Sequence, residues 1–162
     1  MKSIKLTFLL ITLALTTYAS DWINIRSEQP NENKVEIISS DIETSVLKFS
    51  LDGFYKHEVI TPEGIAFKLS VEKSAPLLIE GAPDLCLLAT SIIIPDKNKM
   101  EIKVISSKFI DYENYSISPS KGSILRSQNP DSIPFVYGKE YGQNQFFPEK
   151  LAELREPYIL RD

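Results

Sequence analysis

Residues 65–72 read IAFKLSVE, an unbroken alternation of apolar and polar side chains. A strand sends successive side chains to opposite faces, so this period of two predicts a half-buried strand. Ile65, Phe67, Leu69 and Val71 are expected inward, and Ala66, Lys68, Ser70 and Glu72 outward. The same pattern recurs in VLKFSL (46–51), with Leu47, Phe49 and Leu51 inward, and in MEIKVIS (100–106), with Met100, Ile102 and Val104 inward. WINIR (22–26) and KVEII (34–38) are shorter versions. LCLLATSIIIP (85–95) is more uniformly apolar and is expected to be a central strand covered on both faces.

Turns punctuate these runs. TPEG (61–64) places Pro62 and Gly64 where a tight turn favours them. PDKNK (95–99) is expected to join the 85–94 run to a returning strand as a hairpin. No amphipathic helix longer than two turns is legible. Many short strands with regular turns predict an all-β domain, a β-sandwich of the jelly-roll kind built from short antiparallel strands. From Ser118 to Gln145 the chain is rich in Pro, Gly, Ser and Asn and reads as a long ordered loop, with room for a short strand near Phe135–Tyr137. The tail, residues 146–162, has a helical option of about two turns between Pro148 and Pro157, and an extended segment is equally compatible with it.

The N-terminus has its own logic. Lys2 and Lys5 precede an apolar run from Leu6 to Leu15, and Thr17 and Ala19 occupy the −3 and −1 positions of a small-residue cleavage site. This predicts a secretory signal peptide, residues 1–19, cut after Ala19. The apolar run of about 10 residues is half of the ~20 that a spanning helix needs, so no transmembrane segment is expected. The protein is expected outside the cytoplasm: in the periplasm, on the cell surface or released.

Removing that leader takes Lys2 and Lys5 with it, so 16 of the 18 basic residues remain against 22 acidic ones, a net charge of about −6. With no basic stripe, a nucleic-acid partner is not expected. Cys86 is the only cysteine, so no internal disulfide can form. His57 is the only histidine. A Cys/His dyad would need a thiolate in an electropositive, partly open place, whereas Cys86 sits in an apolar strand and reads as a small hydrophobe. No zinc-ligand cluster, calcium-loop spacing or phosphate-cradling glycine loop is present, so neither a metal nor a cofactor is expected. The chain carries no recognisable catalytic machinery of its own.

Three features fall outside the expected core. Arg126, in KGSILRSQNP, is the only arginine between Arg26 and Arg155. It is either a solvated surface residue or one offered to an acidic pocket, which a planar guanidinium suits. Phe135, Tyr137, Tyr141, Phe146 and Phe147 either pin the loop or form a docking patch. Arg155 and Arg161 lie in an accessible tail and are candidates for proteolytic processing.

The ordered series GAPDL, IPD, PSKG, YGKEY, FFPEKLAEL and PYILRD then carries a resemblance. It resembles the N-terminal propeptide domain of the gingipain-type (C25) cysteine peptidases over roughly residues 30–162, most clearly 79–162. The sortase-like peptidase of the type IX secretion system begins similarly. Cys86 departs from the pattern, which leads one to expect proline there. The resemblance implies a β-sandwich prodomain, exported by the general secretory and type IX routes, that assists folding of a following caspase-like catalytic domain and holds it latent in cis. It implies an arginine from a prodomain loop in the specificity pocket, for which Arg126 is the candidate, and a catalytic Cys and His beyond Asp162. Two alternatives are a stand-alone secreted β-sandwich binding module, with aromatics of the 135–147 loop as its docking surface, and the N-terminal part of the secretion sortase.

Overall fold

The computed structural model describes residues 21–94 and 100–158. The expected signal peptide with Ala19, the PDKNK turn and Arg161 lie outside the described residues.

The fold is built outward from the TPEG turn. Thr61 pairs with Gly64, so Pro62 and Glu63 form a two-residue loop between β4 (Gly53–Thr61) and β5 (Gly64–Ser70). Gly64 turns at φ +116°, a conformation that glycine adopts without a Cβ clash. The Thr61 hydroxyl donates to the Gly64 carbonyl at 2.9 Å and closes the turn. β1 (Asp21–Asn24) pairs antiparallel on the other edge of β4, which gives the order β1-β4-β5. A second sheet is the antiparallel hairpin of β2 (Lys34–Ser40) and β3 (Ser45–Ser50), with a bulge between Ile37 and Ser39. Its loop is closed by the Asp41 carboxylate, which accepts from the Glu43 and Thr44 amides at 2.8 and 2.7 Å. A short antiparallel pair, β6 (Ala75–Pro76) with β7 (Cys86–Leu87), completes the named strands. The architecture is therefore all-β, short antiparallel strands followed by a long C-terminal segment whose regular structure, among the described residues, is two 3-10 turns, Pro130–Ser132 and Lys139–Gly142.

The far edge of β5 is also occupied. Phe67 forms a parallel bridge with Ile117: its amide donates to the Ser116 carbonyl at 2.7 Å, and its carbonyl accepts from the Ser118 amide at 2.9 Å. This chain entry brings Tyr112 and Tyr115 onto the face that carries Phe54, Lys56 and Phe67. Phe54 meets Tyr112 edge-on at 5.5 Å, Phe67 lies 5.5 Å from Tyr115, and the Lys56 ammonium sits 4.7 Å over Phe67. Burying Phe54, 7% exposed, stabilises the fold by about 2 kcal/mol.

Several expectations are corrected. In β5 the buried residue is Ala66, 1% exposed, while Ile65 at the turn is 65% exposed and Phe67 and Leu69 are half-buried. Ala66 shares its face with Thr61 and Lys68, which bind Tyr137 and Asp84, so the later chain covers the supposedly outward side. Phe49, expected inward on β3, is 47% exposed, while Leu47 is half-buried. The apolar run 85–94 contributes only Cys86–Leu87 as strand, and Ile93 is 99% exposed; MEIKVIS forms no strand, and Met100, Ile102 and Val104 are exposed. Beyond the Cys86–Leu87 pairing with β6, the described residues of neither segment join a ladder, and without a ladder the period-two pattern has no sheet to define. No strand forms at Phe135–Tyr137 and no helix between Pro148 and Pro157.

Candidate functional site

The C-terminal segments converge on one knot of backbone. GAPD (81–84) runs beside SPSK (118–121): Pro83 bridges Pro119 antiparallel, the Ser120 amide donates to the Ala82 carbonyl at 2.8 Å, and the Asp84 and Gly81 amides donate to the Ser118 and Ser120 carbonyls at 2.9 Å each. The Gly138 amide of YGKEY then donates to the Gly81 carbonyl at 2.8 Å. The two glycines lie back to back, since a Cβ on Gly138 would stand 2.9 Å from the Gly81 oxygen and one on Gly81 would stand 3.2 Å from the Gly138 Cα. Ala82, Ser118, Pro119 and Ser120 are buried in this knot.

Between its SPSK and YGKEY segments the knot extrudes the loop that carries Arg126. The chain leaves at Gly122, whose φ of +70° and amide bond to the Ser120 hydroxyl (3.2 Å) form the exit turn. Leu125–Gln128 is a β-turn, closed by the Gln128 amide donating to the Leu125 carbonyl at 2.9 Å. The Gln128 Oε1 accepts from the Leu125 amide at 3.2 Å, so the turn is bridged in both directions. Asn129 caps the following 3-10 turn, its Oδ1 accepting from the Asp131 amide at 3.0 Å. Lys121 spans the base: its Nζ donates to the Pro130 carbonyl at 2.8 Å and lies 4.3 Å over the Phe135 ring. Arg126 occupies the first central position of the β-turn, exposed, and enters no ion pair among the described residues.

The aromatic candidates divide. Tyr137 is half-buried, with its hydroxyl 2.8 Å from that of Thr61, and it meets Tyr141 edge-on at 4.7 Å. Tyr141 donates its hydroxyl to the Ile117 carbonyl at 2.9 Å. Desolvation pushes its phenol above the ordinary tyrosine range, and Tyr137, Asp84, Glu63 and Glu140 add to the shift. Phe135 is half-buried under Lys121. These three pin the loop to the knot. Phe147 is half-buried, and Phe146 is 92% exposed beside a shallow cleft of about 360 Å³ that both line with Pro83, Ile117 and Tyr141. Arg155 lies in an exposed, irregular stretch.

The remaining candidates of chemistry each bond to a different partner. Cys86 is half-buried and donates to the Leu69 carbonyl at 3.4 Å, while the His57 Nε2 pairs with the Ser70 hydroxyl at 2.9 Å. Among the described residues no group of three or more His, Cys, Asp or Glu could hold a metal ion. No helix of the described residues is long and apolar enough to cross a membrane. Lys121 and Gln128 escaped the sequence reading; the only signal for Lys121 was its place in the PSKG motif.

The comparisons with known proteins agree with this layout. The family model Propeptide_C25 matches residues 25–162. Gingipain R1 of Porphyromonas gingivalis is 41% identical over 133 residues, which cover 82% of this chain and 13% of that protein. Gingipain R2 of the same organism is 35% identical over 136 residues, 84% of this chain and 18% of that protein. The chain therefore spans less than a fifth of the length of these relatives. Among solved structures, the complex of Porphyromonas gingivalis RgpB pro- and mature domains superposes with a TM-score of 0.75 at 37% identity, covering 79% of this chain and 67% of that one. A structure on the zymogenic latency of gingipain K from the same species has the same fold, with a TM-score of 0.65 at 19% identity, over 83% of this chain and 76% of that one. With the family model covering β2 to β7 and the loop segment, the chain belongs to the C25 propeptide family, the propeptides of the gingipain-type cysteine peptidases.

Proposed function

We propose that this chain is the exported prodomain of a gingipain-like cysteine endopeptidase, acting in cis as a folding aid and as the inhibitor that keeps the catalytic domain latent. The observation that carries the reading is Arg126, exposed at the tip of a turn built on a buried backbone knot. A guanidinium held out in this way suits an acidic specificity pocket, where its fork can pair with a carboxylate. A substrate-like side chain presented on a rigid base loses little conformational entropy on docking, and that preorganisation adds to affinity. A solved relative in which pro- and mature domains form a complex supports the same arrangement. The catalytic groups would belong to the partner domain, and the prodomain would supply occupancy and shape. Phe146 and the apolar tail side chains Leu151, Leu154 and Tyr158, all exposed, suit the remainder of the contact. Release would follow cleavage in the tail, with Arg155 and Arg161 as candidate sites, and the leader that directs export would be removed after Ala19.

The test is to mix residues 20–162 with the matching catalytic domain and measure residual peptidase activity. The wild-type chain is expected to inhibit, and Arg126→Ala to weaken inhibition by about 100-fold, the scale of a lost charge-paired anchor of about 2–3 kcal/mol. Absence of inhibition would remove the inhibitory reading. Inhibition unchanged by Arg126→Ala would remove the residue assignment.

A further inference from the structure

An arginine offered to a peptidase pocket that accepts it exposes its own peptide bond to cleavage, and the bonds within the Arg126 loop oppose that outcome. To be cut, the Arg126–Ser127 bond must reach the nucleophile with its carbonyl at a near-attack distance of about 3–3.5 Å. Four extended residues span ~10 Å between their outer Cα atoms. A closed β-turn holds the same span under about 7 Å and folds the flanking backbone away. The Leu125–Gln128 turn is closed by its own backbone bond and again by the Gln128 side chain, so opening it breaks two bonds. Its base is tied by the Lys121 bond to the Pro130 carbonyl and by the stacking of the same ammonium over Phe135. Arg155, by contrast, lies in a stretch with no assigned strand, turn or helix.

We infer that Lys121 and Gln128 are positioning residues that make the Arg126 loop resistant to cleavage, so that it acts as an inhibitor rather than a substrate. Hydrolysis would add water across the Arg126–Ser127 peptide bond, leaving a carboxylate on Arg126 and a free amine on Ser127. The braces oppose that step by keeping the bond out of an extended conformation, while the guanidinium remains free to dock. This deepens the reading of Arg126 given above, yet the cleavage resistance is a property of the loop alone and can be measured without the cognate peptidase.

The test uses residues 20–162 and an arginine-specific peptidase of unrelated fold, with cleavage after each arginine followed by mass spectrometry. Arg26 serves as the internal monitor of global folding, because the amides of Ile25, Arg26 and Ser27 all donate to the Asp52 carbonyl. In the wild-type chain the Arg126–Ser127 bond is expected to persist. Gln128→Ala and Lys121→Met should each speed its cleavage about fivefold, the population change for one net hydrogen bond of ~1 kcal/mol. Cleavage after Arg26 should not change. Gln128→Glu keeps the Oε acceptor for the Leu125 amide and should restore the wild-type rate. Equal rates in wild type and both variants would overturn the inference. So would a parallel rise at Arg26, since the two side chains would then hold the domain rather than the turn. With the cognate catalytic domain, the same variants should inhibit and then lose inhibition as the loop is cut. If Arg126→Ala leaves inhibition unchanged, the docking assignment fails, while the rates measured with the unrelated peptidase still decide the brace.

Discussion

Tyr141 shows how one side chain couples the loop to the sheet. Its hydroxyl donates to the Ile117 carbonyl, and Ile117 is the residue bridged to Phe67 on the edge of β5. Burial holds the phenol neutral well above the 10.0 of an ordinary tyrosine. The folded chain therefore keeps this proton after the unfolded chain has released its own. Stability from this contact is complete below about pH 10 and falls as the pH rises above it. Tyr141→Phe should remove that alkaline slope. Urea midpoints at pH 8 and pH 10.5 check it: the wild type should lose more between the two than the variant does. Sequence pattern alone placed Tyr141 among candidates for docking and for pinning. The hydroxyl bond ties Tyr141 to the Ile117 backbone, while Phe146 is almost fully exposed.

At the scale of elements, the β4–β5 hairpin carries the most information per residue. Pro62 and Gly64 named the turn in the sequence, and the register follows from it, Thr61 against Gly64 through Tyr55 against Ser70. Gly64→Ala meets no neighbouring atom, so its cost is backbone strain alone at φ +116°. That cost should be about 1–2 kcal/mol. It should appear as a lower denaturant midpoint with an unchanged m-value. The strands of the β2–β3 hairpin were legible in KVEII and VLKFSL, but their turn was not, and Asp41 closes it as an aspartate in a turn is expected to. The segments 85–94 and 100–106 were misread for a definable reason. Alternation records which side chains could share a face, but a strand also needs a ladder partner, and period alone does not name one.

For the whole molecule, the arrangement depends on distant motifs meeting rather than on any one of them. GAPD, SPSK and YGKEY are separated by tens of residues in the chain, and their backbones hydrogen-bond to one another in a single knot. Gly138→Ala would drive a Cβ to 2.9 Å from the Gly81 carbonyl oxygen, a backbone atom that cannot swing aside. We expect a loss of about 1–3 kcal/mol. Deleting residues 151–158, whose large side chains are exposed, should stay within about 0.5 kcal/mol. Thermal melts of the two variants measure the contrast. A tail deletion as costly as Gly138→Ala would show the tail to be part of the domain's own packing.

The sequence by itself determined the all-β class, the TPEG turn and the isolation of Arg126 in a polar loop. These follow from local chemistry: side-chain alternation, proline and glycine at turn positions, and the absence of a helical period. The ordered motifs also sufficed to point to the C25 propeptide family. Only the tertiary structure decided which face of β5 is buried, which tyrosines are pins and what holds the Arg126 turn shut. Each of those depends on a contact between residues far apart in the chain, Ala66 beneath the face that meets Tyr137 and Asp84, or Lys121 reaching across to Pro130. Such pairings are set by how the whole chain fills space, and no local pattern specifies them.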